Sequence, residues 1–224
     1  MSMPAQSPCR ESAIRILDSA KKNVSGSSNG DSTWLSVWPV EMNPSISLTV
    51  RVAEALSASG ISYLITGSFA SNYYGIPRST KDADFVVQLG SALGQDFRQR
   101  LGDDFILDPQ LSFETVTGTY RQYVRHRQSK FKIELFLLSP DEHDQERFSR
   151  RIEVDLSGRK VWLLSPEDVI VSKLRWARFK DAEDIRNVMT VQRDKLDWIY
   201  VESWCTRHGT MELMEQIRRT VPEV

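Results

Sequence analysis

Two aspartates separated by one residue, Asp82 and Asp84, are the strongest candidates for chemistry in this sequence. They begin an apolar run that continues to Val87, and strand alternation predicts that both carboxylates lie on one face of that strand. Alpha carbons two residues apart in a strand are roughly 6.5–7 Å apart, so both carboxylates can reach one hard cation from the same side. Because like charges held this close repel each other, the pair indicates a divalent metal site.

A Gly-Ser pair, Gly67 and Ser68, ends the preceding apolar run, which we predict to be a strand over residues 61–66. Glycine allows a sharp turn or the close approach of a ligand, and Ser68 is predicted to cap a helix over residues 69–74. Free backbone N–H groups at the start of such a helix suit a phosphate group. A phosphate site beside a two-carboxylate metal site is the arrangement needed to transfer part of a nucleoside triphosphate.

This combination resembles the DNA polymerase β-type nucleotidyltransferase superfamily, in which Gly-Ser is followed after a gap by Asp-x-Asp in an apolar strand. Residues 74–84 are similar to the bacterial branch that includes AbiEii-type toxin nucleotidyltransferases. The resemblance covers about residues 61–138, and a second match near Lys173 extends it. The alternative is a surface strand with two solvated aspartates after a tight turn.

The resemblance implies an α/β fold of the α+β type, with a small mixed sheet, flanking helices and a helical C-terminal part. It implies an enzyme that moves a nucleoside monophosphate from ATP, GTP or CTP to an acceptor hydroxyl, with Mg²⁺ or Mn²⁺ held by Asp82 and Asp84. The acceptor is left open among a tRNA end, a protein and a small molecule. The biological role that the resemblance suggests is the toxin of a toxin–antitoxin pair, with a cognate antitoxin as partner. The alternative is a catalytically inactive relative that binds a nucleotide or a partner.

Glu134 is the candidate third carboxylate. It lies in an alternating segment over residues 130–138, on the face opposite Ile133, Leu135 and Leu137. A lone glutamate on a strand is usually solvated. The resemblance nevertheless places a third carboxylate on this strand, usually an aspartate, and so implies that Glu134 binds the metal or acts as the base on the acceptor hydroxyl.

Cations near these acids are candidates for binding phosphate. Arg78 lies in a loop stiffened by Pro77, a few residues before the Asp-x-Asp strand, where it is positioned to contact a phosphate. A predicted hairpin over residues 120–138 carries a basic run. That run is consistent with a solvated face or with a surface that binds triphosphate or RNA, and its members are Arg121, Arg125, Arg127, Lys130 and Lys132.

The C-terminal part is predicted to be helical. Ser165 and Pro166 are typical of a helix start, and that helix includes Lys173. Asp181 and Asp184 open the next helix, where a purely structural capping role is one interpretation. The resemblance implies instead that Lys173 contacts the nucleotide phosphates, and that Asp181 or Asp184 orients the triphosphate or acts as a base.

Composition limits the class of protein. The chain has 224 residues and a net charge of −1, so no global field attracts nucleic acid or a membrane. Its 2 cysteines, far apart in the sequence, argue for a reducing compartment without a disulfide framework. No run of apolar residues is long enough for a transmembrane helix. We therefore expect a cytoplasmic protein without a membrane partner.

The sequence predicts three parts. Residues 1–45 form a flexible N-terminal tail, interpreted either as a strap on the domain or as a segment that docks a partner. Residues 46–158 form the nucleotidyltransferase core, and residues 159–224 form a helical part that closes one side of the cleft.

Overall fold

In the computed structural model of this chain, the described residues are 44–89, 93–115 and 118–222. The predictions for residues 1–43 lie outside the described residues. Within the described ranges the helices α1 to α8 span Pro44–Ala58, Gly67–Tyr74, Gln95–Leu101, Glu142–Ser149, Pro166–Trp176, Asp181–Gln192, Trp198–His208 and Met211–Arg218. None of these helices is long and apolar enough to span a membrane. The strands β1 to β7 span Ser62–Thr66, Asp82–Gln88, Phe105–Glu114, Thr119–His126, Lys132–Leu137, Ile152–Leu156 and Arg159–Leu163.

The strands form one mixed sheet of seven strands in the order β3-β4-β5-β2-β1-β7-β6. Strands β2 and β5 are parallel, as are β1 and β7, and the other neighbouring pairs are antiparallel. The α/β fold class expected from the sequence is therefore confirmed, and the strand with the two aspartates lies at the centre of the sheet.

One face of the two central strands is apolar and buried. Ala83, Phe85 and Val87 of β2 lie on this face, as do Ile133 and Leu135 of β5. Alternation then directs the even-numbered residues of both strands to the opposite face. Burial of one face thus directs Asp82, Asp84 and Glu134, the candidate site residues, to the other face.

Several elements were not predicted from the sequence. Strand β3, helix α4 and the hairpin of β6 and β7 have no counterpart in the sequence analysis. The hairpin has a recognisable signal, because Ile152, Val154 and Leu156 alternate before Ser157 and Gly158, which both have positive φ. Since β7 pairs with β1, the sheet continues past the predicted boundary at residue 158, which lies in the turn between β6 and β7.

The C-terminal helices pack against the start of the core. Helix α5 begins as predicted, with Ser165 as N-cap accepting a hydrogen bond from the backbone N–H of Asp168 at 3.2 Å, and with Pro166 in its first turn. Helices α5 and α6 pack against each other and against α2, which follows β1 directly. A cleft remains between these helices and the acidic face of the sheet.

We predict that Leu135→Ala lowers the free energy of unfolding by about 2–5 kcal/mol, because Leu135 is fully buried on a central strand. Leu111→Ala is the matched control, since Leu111 on the edge strand β3 is 51% exposed. We expect it to change stability by no more than about 0.5 kcal/mol. Urea unfolding followed by circular dichroism measures both values, and equal losses would contradict the assignment of the core to this face.

Candidate active site

The structure brings the three predicted carboxylates together. Asp82 and Asp84 lie on one face of β2, and the parallel register pairs Asp84 with Glu134 on β5. Backbones of neighbouring strands are about 4.8 Å apart, so Asp84 and Glu134 are side by side on this face. All three acids line the cleft between the sheet and the C-terminal helices.

Burial and neighbouring acids raise the pKa of two carboxylates on this face. Burial, together with the charges of Asp82 and Glu134, raises the pKa of Asp84 to about 7, while the charges of Arg178 and Lys180 oppose the shift. Burial also raises the pKa of Glu134, against the opposing effect of Arg121. A divalent cation between the carboxylates would relieve both effects, so this donor set of carboxylate oxygens suits a hard metal ion.

Arg121 is the member of the basic run that reaches the acids. Its Nη1 donates a hydrogen bond to Oε2 of Glu134 at 3.0 Å, and its guanidinium lies 5.3 Å from the centre of the Tyr123 ring. Arg125 points elsewhere, toward an ion pair with Asp108 at 3.6 Å. The basic run thus divides between the cleft and the outer surface of the hairpin.

Gly67 is required by the position of Asp84. The residue has a φ of +63°, in the left-handed region that favours glycine, and a Cβ added to it would lie 2.0 Å from Oδ2 of Asp84. Thr66, the preceding residue, pairs with Asp84 in the antiparallel register of β1 and β2. The glycine therefore lets the backbone pass directly beside a catalytic candidate, as the sequence analysis expected.

Ser68 does not cap a helix in the predicted way. Helix α2 begins at Gly67, its N-cap residue is Thr66, and no side chain accepts a capping hydrogen bond. Ser68 lies in the first turn with a buried side chain, and its Oγ accepts a hydrogen bond from Nη2 of Arg78 at 3.2 Å. The helix starts earlier than predicted because the left-handed Gly67 makes the turn within its first residue.

Arg78 forms a bidentate ion pair across the structure. Its Nε and Nη2 donate to the two carboxylate oxygens of Asp184 on α6, at 2.6 and 2.7 Å. Its loop is fixed by Asn72, whose side chain donates to the carbonyl oxygen of Arg78 at 2.7 Å and accepts from its backbone N–H at 3.1 Å. The guanidinium is therefore committed to an acid of the C-terminal part.

Lys173 lies between two buried acids. It is 4% exposed, and its Nζ donates to Oδ2 of Asp184 at 2.6 Å and to Oδ1 of Asp181 at 3.2 Å. Arg78, Lys173, Asp181 and Asp184 thus form a connected buried charge network that joins α5, α6 and the loop after α2. Removal of one member of such a network typically costs about 3–5 kcal/mol, because an acid or base is left buried without its partner.

Two further cations line the cleft, and the sequence analysis did not select them. Arg178 and Lys180 belong to the loop between α5 and α6 and share the cleft with Asp82, Asp84 and Gly67. Both residues belong to the segment just before Asp181, where the sequence predicts a helix start. The sequence could not show which of its cations lie near the acids, because that depends on how the loop folds against the sheet.

A second group of metal-binding residue types lies at the start of α4. The ligand atoms of Asp141, His143 and Asp144 are within 4.8 Å of one another, close enough for one ion. Each already has a partner: Asp141 accepts two hydrogen bonds from Arg175, at 2.7 and 2.8 Å, and Asp144 is 2.8 Å from Nε of Arg147. His143 is 3.1 Å from buried Asp168. The arginines supply the charge that a metal would bring.

Comparison with known proteins identifies the family. A family model described as a nucleotidyltransferase of unknown function (DUF6036) matches residues 56–221 of this chain. No curated protein matches the sequence. The family match includes the Asp-x-Asp strand, Glu134 and both helices of the buried charge network.

Solved structures are similar to this chain at low sequence identity. ANT(2″)-Ia in complex with adenylyl-2″-tobramycin has a TM-score of 0.51 and 15% identity, over 76% of this chain and 99% of that one. The solution structure of the antibiotic-resistance factor ANT(2″)-Ia has a TM-score of 0.49 and 15% identity, over 76% and 96% of the two chains. An antigenic nucleotidyltransferase-like protein from Paracoccidioides brasiliensis has a TM-score of 0.44 and 17% identity, over 80% and 94%.

We predict that Gly67→Ala destabilises the protein more than Gly60→Ala does. Both glycines have positive φ, +63° and +67°, so each alanine adds about 1–2 kcal/mol of backbone strain. Only at Gly67 does the new Cβ meet the carboxylate of Asp84, whereas nothing lies within 4 Å at Gly60. The expected additional loss is about 1–3 kcal/mol in the free energy of unfolding. Equal losses in urea would show that Asp84 moves aside without cost.

We also predict that Asp84 makes the metal-free protein less stable as pH rises. The pKa of Asp84 is raised to about 7, so between about pH 4 and pH 7 the folded protein keeps a proton that the unfolded chain has released. The free energy of unfolding therefore decreases as the pH rises through this range. Asp84→Asn lacks this effect, so its stability relative to wild type should rise with pH, by at most about 1.4 kcal/mol per pH unit.

Unfolding titrations in EDTA from pH 4 to 8 measure this difference. Groups that do not interact with Asp84 cancel in the comparison, including His208, whose pKa is lowered to about 4 by burial and which acts in the opposite direction. A difference that does not change with pH would mean that Asp84 is solvated.

Proposed function

The chain belongs to a family of nucleotidyltransferases of unknown function, and from this premise we propose that it transfers a nucleoside monophosphate from a nucleoside triphosphate to an acceptor hydroxyl. One observation carries the proposal: Asp82, Asp84 and Glu134 lie side by side on two parallel strands, next to the left-handed turn at Gly67. Repulsion among three acids on one face is a cost that a bound divalent metal would offset.

We propose that Asp82 and Asp84 hold the divalent metal, Mg²⁺ or Mn²⁺. Their oxygens are the ligands that hard cations prefer, and the raised pKa of Asp84 is the mark of a carboxylate without its counter-charge. Thr80 supports this geometry, since its Oγ1 donates to Oδ1 of Asp82 at 3.0 Å and holds that carboxylate in place. When bound, the metal neutralises charge that develops on the transferred phosphoryl group.

The start of α2 is the proposed seat for the phosphates. Gly67 brings the backbone to the edge of the cleft without a side chain, and the N–H groups of the first turn are free of helical partners. Ser68 keeps its side chain on Arg78, so its contribution to this seat is its backbone N–H.

Glu134 is the proposed base. Its raised pKa places it closer to neutral pH than an ordinary glutamate, and Arg121 fixes its orientation by a hydrogen bond of 3.0 Å. In the proposed step, the acceptor oxygen forms a bond to the α-phosphorus, its proton passes to Glu134, and the bond to pyrophosphate breaks. The longer side chain of glutamate, compared with the aspartate usual in the resembled superfamily, reaches the acceptor from β5.

For Asp181 and Asp184 we propose a positioning role in place of catalysis. Both are almost fully buried and already accept hydrogen bonds from Lys173 and from an arginine each. A general base needs a free oxygen directed at the substrate. The oxygens of both carboxylates instead accept hydrogen bonds within the buried charge network.

The narrower proposal is that this enzyme is an AbiEii-like toxin of a toxin–antitoxin pair, which rests on the resemblance over residues 74–84. A tRNA end, a protein hydroxyl and a small molecule are the acceptors to test. Induced expression in a bacterial host tests the role, because growth arrest should require Asp84. An adjacent gene that restores growth would be the antitoxin.

We predict that Asp82→Asn and Asp84→Asn each lower Mg²⁺-dependent transfer of labelled nucleotide at least about a hundredfold, since each removes a charged ligand with little change in volume. Asp155→Asn is the matched control, because Asp155 is an exposed aspartate on β6, outside the cleft. Near-normal transfer by either cleft variant would exclude this metal site. Nucleotide binding without transfer by the wild type, across all three acceptor classes, would favour the inactive binding module.

We predict that Glu134→Gln lowers the rate about a hundredfold or more while the Mg²⁺ concentration for half-maximal rate stays close to that of wild type. A base is lost but the two metal ligands remain. Glu153→Gln, at an exposed position on β6, controls for the substitution itself. A large increase in the Mg²⁺ requirement would assign Glu134 to the metal, and an unchanged rate would remove it from the site.

A further inference from the structure

The loop between α5 and α6 carries two cations over the acidic face of the sheet. It runs from residue 177 to residue 180, between the last residue of α5 and Asp181. Ala177 ends α5 in the left-handed conformation, with a φ of 48°, which turns the chain sharply toward the next helix. Arg178 and Lys180 follow, and both line the cleft.

Building on the nucleotidyl transfer proposed above, we propose that Arg178 and Lys180 bind the triphosphate. Lys173 does not contact phosphate in this proposal, and instead positions the loop through Asp181.

Lys180 and Arg178 both have N–H donors that do not bind a carboxylate. Within residues 44–89, 93–115 and 118–222, no carboxylate lies within ion-pair distance of the Lys180 ammonium, and this side chain is exposed. Arg178 has a 45% exposed side chain and uses its Nε and Nη2 on Asp181, at 2.9 and 3.3 Å. Since a guanidinium has five N–H donors, three remain for a ligand.

Lys173 is in the opposite situation. Its ammonium lies between Asp181 and Asp184 and is almost fully buried. Two acids flank this one ammonium, so the charge of Lys173 is compensated within the network. A phosphate contact would require Lys173 to leave a 2.6 Å hydrogen bond to Asp184.

The buried network holds the loop in place through Asp181. Its Oδ2 accepts hydrogen bonds from the backbone N–H of Arg178 at 3.0 Å and from the side chain of the same residue at 2.9 Å. Its backbone N–H donates to the carbonyl oxygen of Arg178 at 2.9 Å. Because Lys173 binds the other oxygen of Asp181, the lysine acts on the loop through this aspartate.

The loop faces the catalytic acids across one cleft. Arg178 and Lys180 line this cleft together with Asp82 and Asp84. A phosphate bound beside Asp84 would therefore lie in the space that the two loop cations border. Gly67 lies on the same cleft, so the loop faces the proposed phosphate seat from the helical side.

The test measures binding of inorganic tripolyphosphate with Mg²⁺ to the full chain by calorimetry, which makes the unknown base irrelevant. The double variant R178M/K180M removes two charges while keeping the apolar stems. Charge-assisted contacts of this kind are each worth about tenfold to a hundredfold in affinity, so we expect a loss of at least a hundredfold. R98M/K195M is the matched control, since both residues are exposed and lie outside the cleft.

Lys173→Met provides the second arm. A positioning residue should lower the melting temperature by several degrees together with a loss of affinity, because two buried acids lose a partner. R178M/K180M should melt above Lys173→Met, since Asp181 loses the side-chain contacts of Arg178 but keeps Lys173 and the backbone N–H of residue 178 as partners, and Asp184 keeps both of its partners. A loss of affinity in Lys173→Met without a loss of stability would overturn the proposal, because it would show direct contact between Lys173 and phosphate.

The remaining outcomes separate this inference from the proposed function. Equal affinities of R178M/K180M and R98M/K195M, with the wild type binding normally, would overturn the role of the loop and leave nucleotidyl transfer intact. If the wild type binds neither tripolyphosphate nor ATP, GTP or CTP, the proposed function fails and the inference with it.

Discussion

Repulsion among three neighbouring carboxylates is the constraint on which the rest of this structure depends. Asp82, Asp84 and Glu134 stay together because they cannot move apart without breaking the register of β2 and β5. That register is held by backbone hydrogen bonds and by the buried apolar face of the same strands, which includes Phe85 and Leu135. Hydrophobic burial on one side of the sheet thus stabilises an unfavourable charge arrangement on the other.

The turn at Gly67 is a direct consequence of that arrangement. With Asp84 held at the centre of the sheet, the neighbouring chain at the end of β1 must pass without a side chain, since a Cβ at this position would overlap the carboxylate. The left-handed conformation then starts α2 at once, which leaves backbone N–H groups at the edge of the cleft. The proposed metal site and the proposed phosphate seat are two results of one close approach.

The buried charge network explains how a cleft with two walls is maintained. Asp184 accepts hydrogen bonds from Arg78 of the sheet side and from Lys173 of α5, so one carboxylate joins both walls. Burying charges is costly, and such networks are more useful for fixing a specific arrangement than for stability. Here the arrangement that is fixed includes the loop with Arg178 and Lys180. In the proposed reaction, the helical part contributes mainly by where it holds these cations.

The sequence alone determined the paired aspartates and the glycine, and its resemblance to a known superfamily implied the fold class. Strand alternation is a local property with a period of two, so Asp82 and Asp84 could be placed on one face of their strand, and Glu134 opposite the apolar face of its own strand, without knowledge of the fold. Only the resemblance associated Glu134 with the two aspartates, and the pairing of β2 with β5 brings them together. The need for glycine before a helix is equally local. Strand β3 was missed because it lies at the edge of the sheet, where Pro109 and exposed apolar residues weaken the pattern.

Only the tertiary structure decided the partners of the charged residues. Arg78 and Asp184 are 106 positions apart in the chain, and no spacing rule relates them. The sequence pointed to Lys173 and not to Arg178 or Lys180. All three line the cleft, yet packing of α5 against α6 buries Lys173 between two acids and leaves the other two side chains exposed. Folding determines which charges are neutralised, because Coulomb attraction depends on distance in space and on burial, and neither can be read from position in the chain.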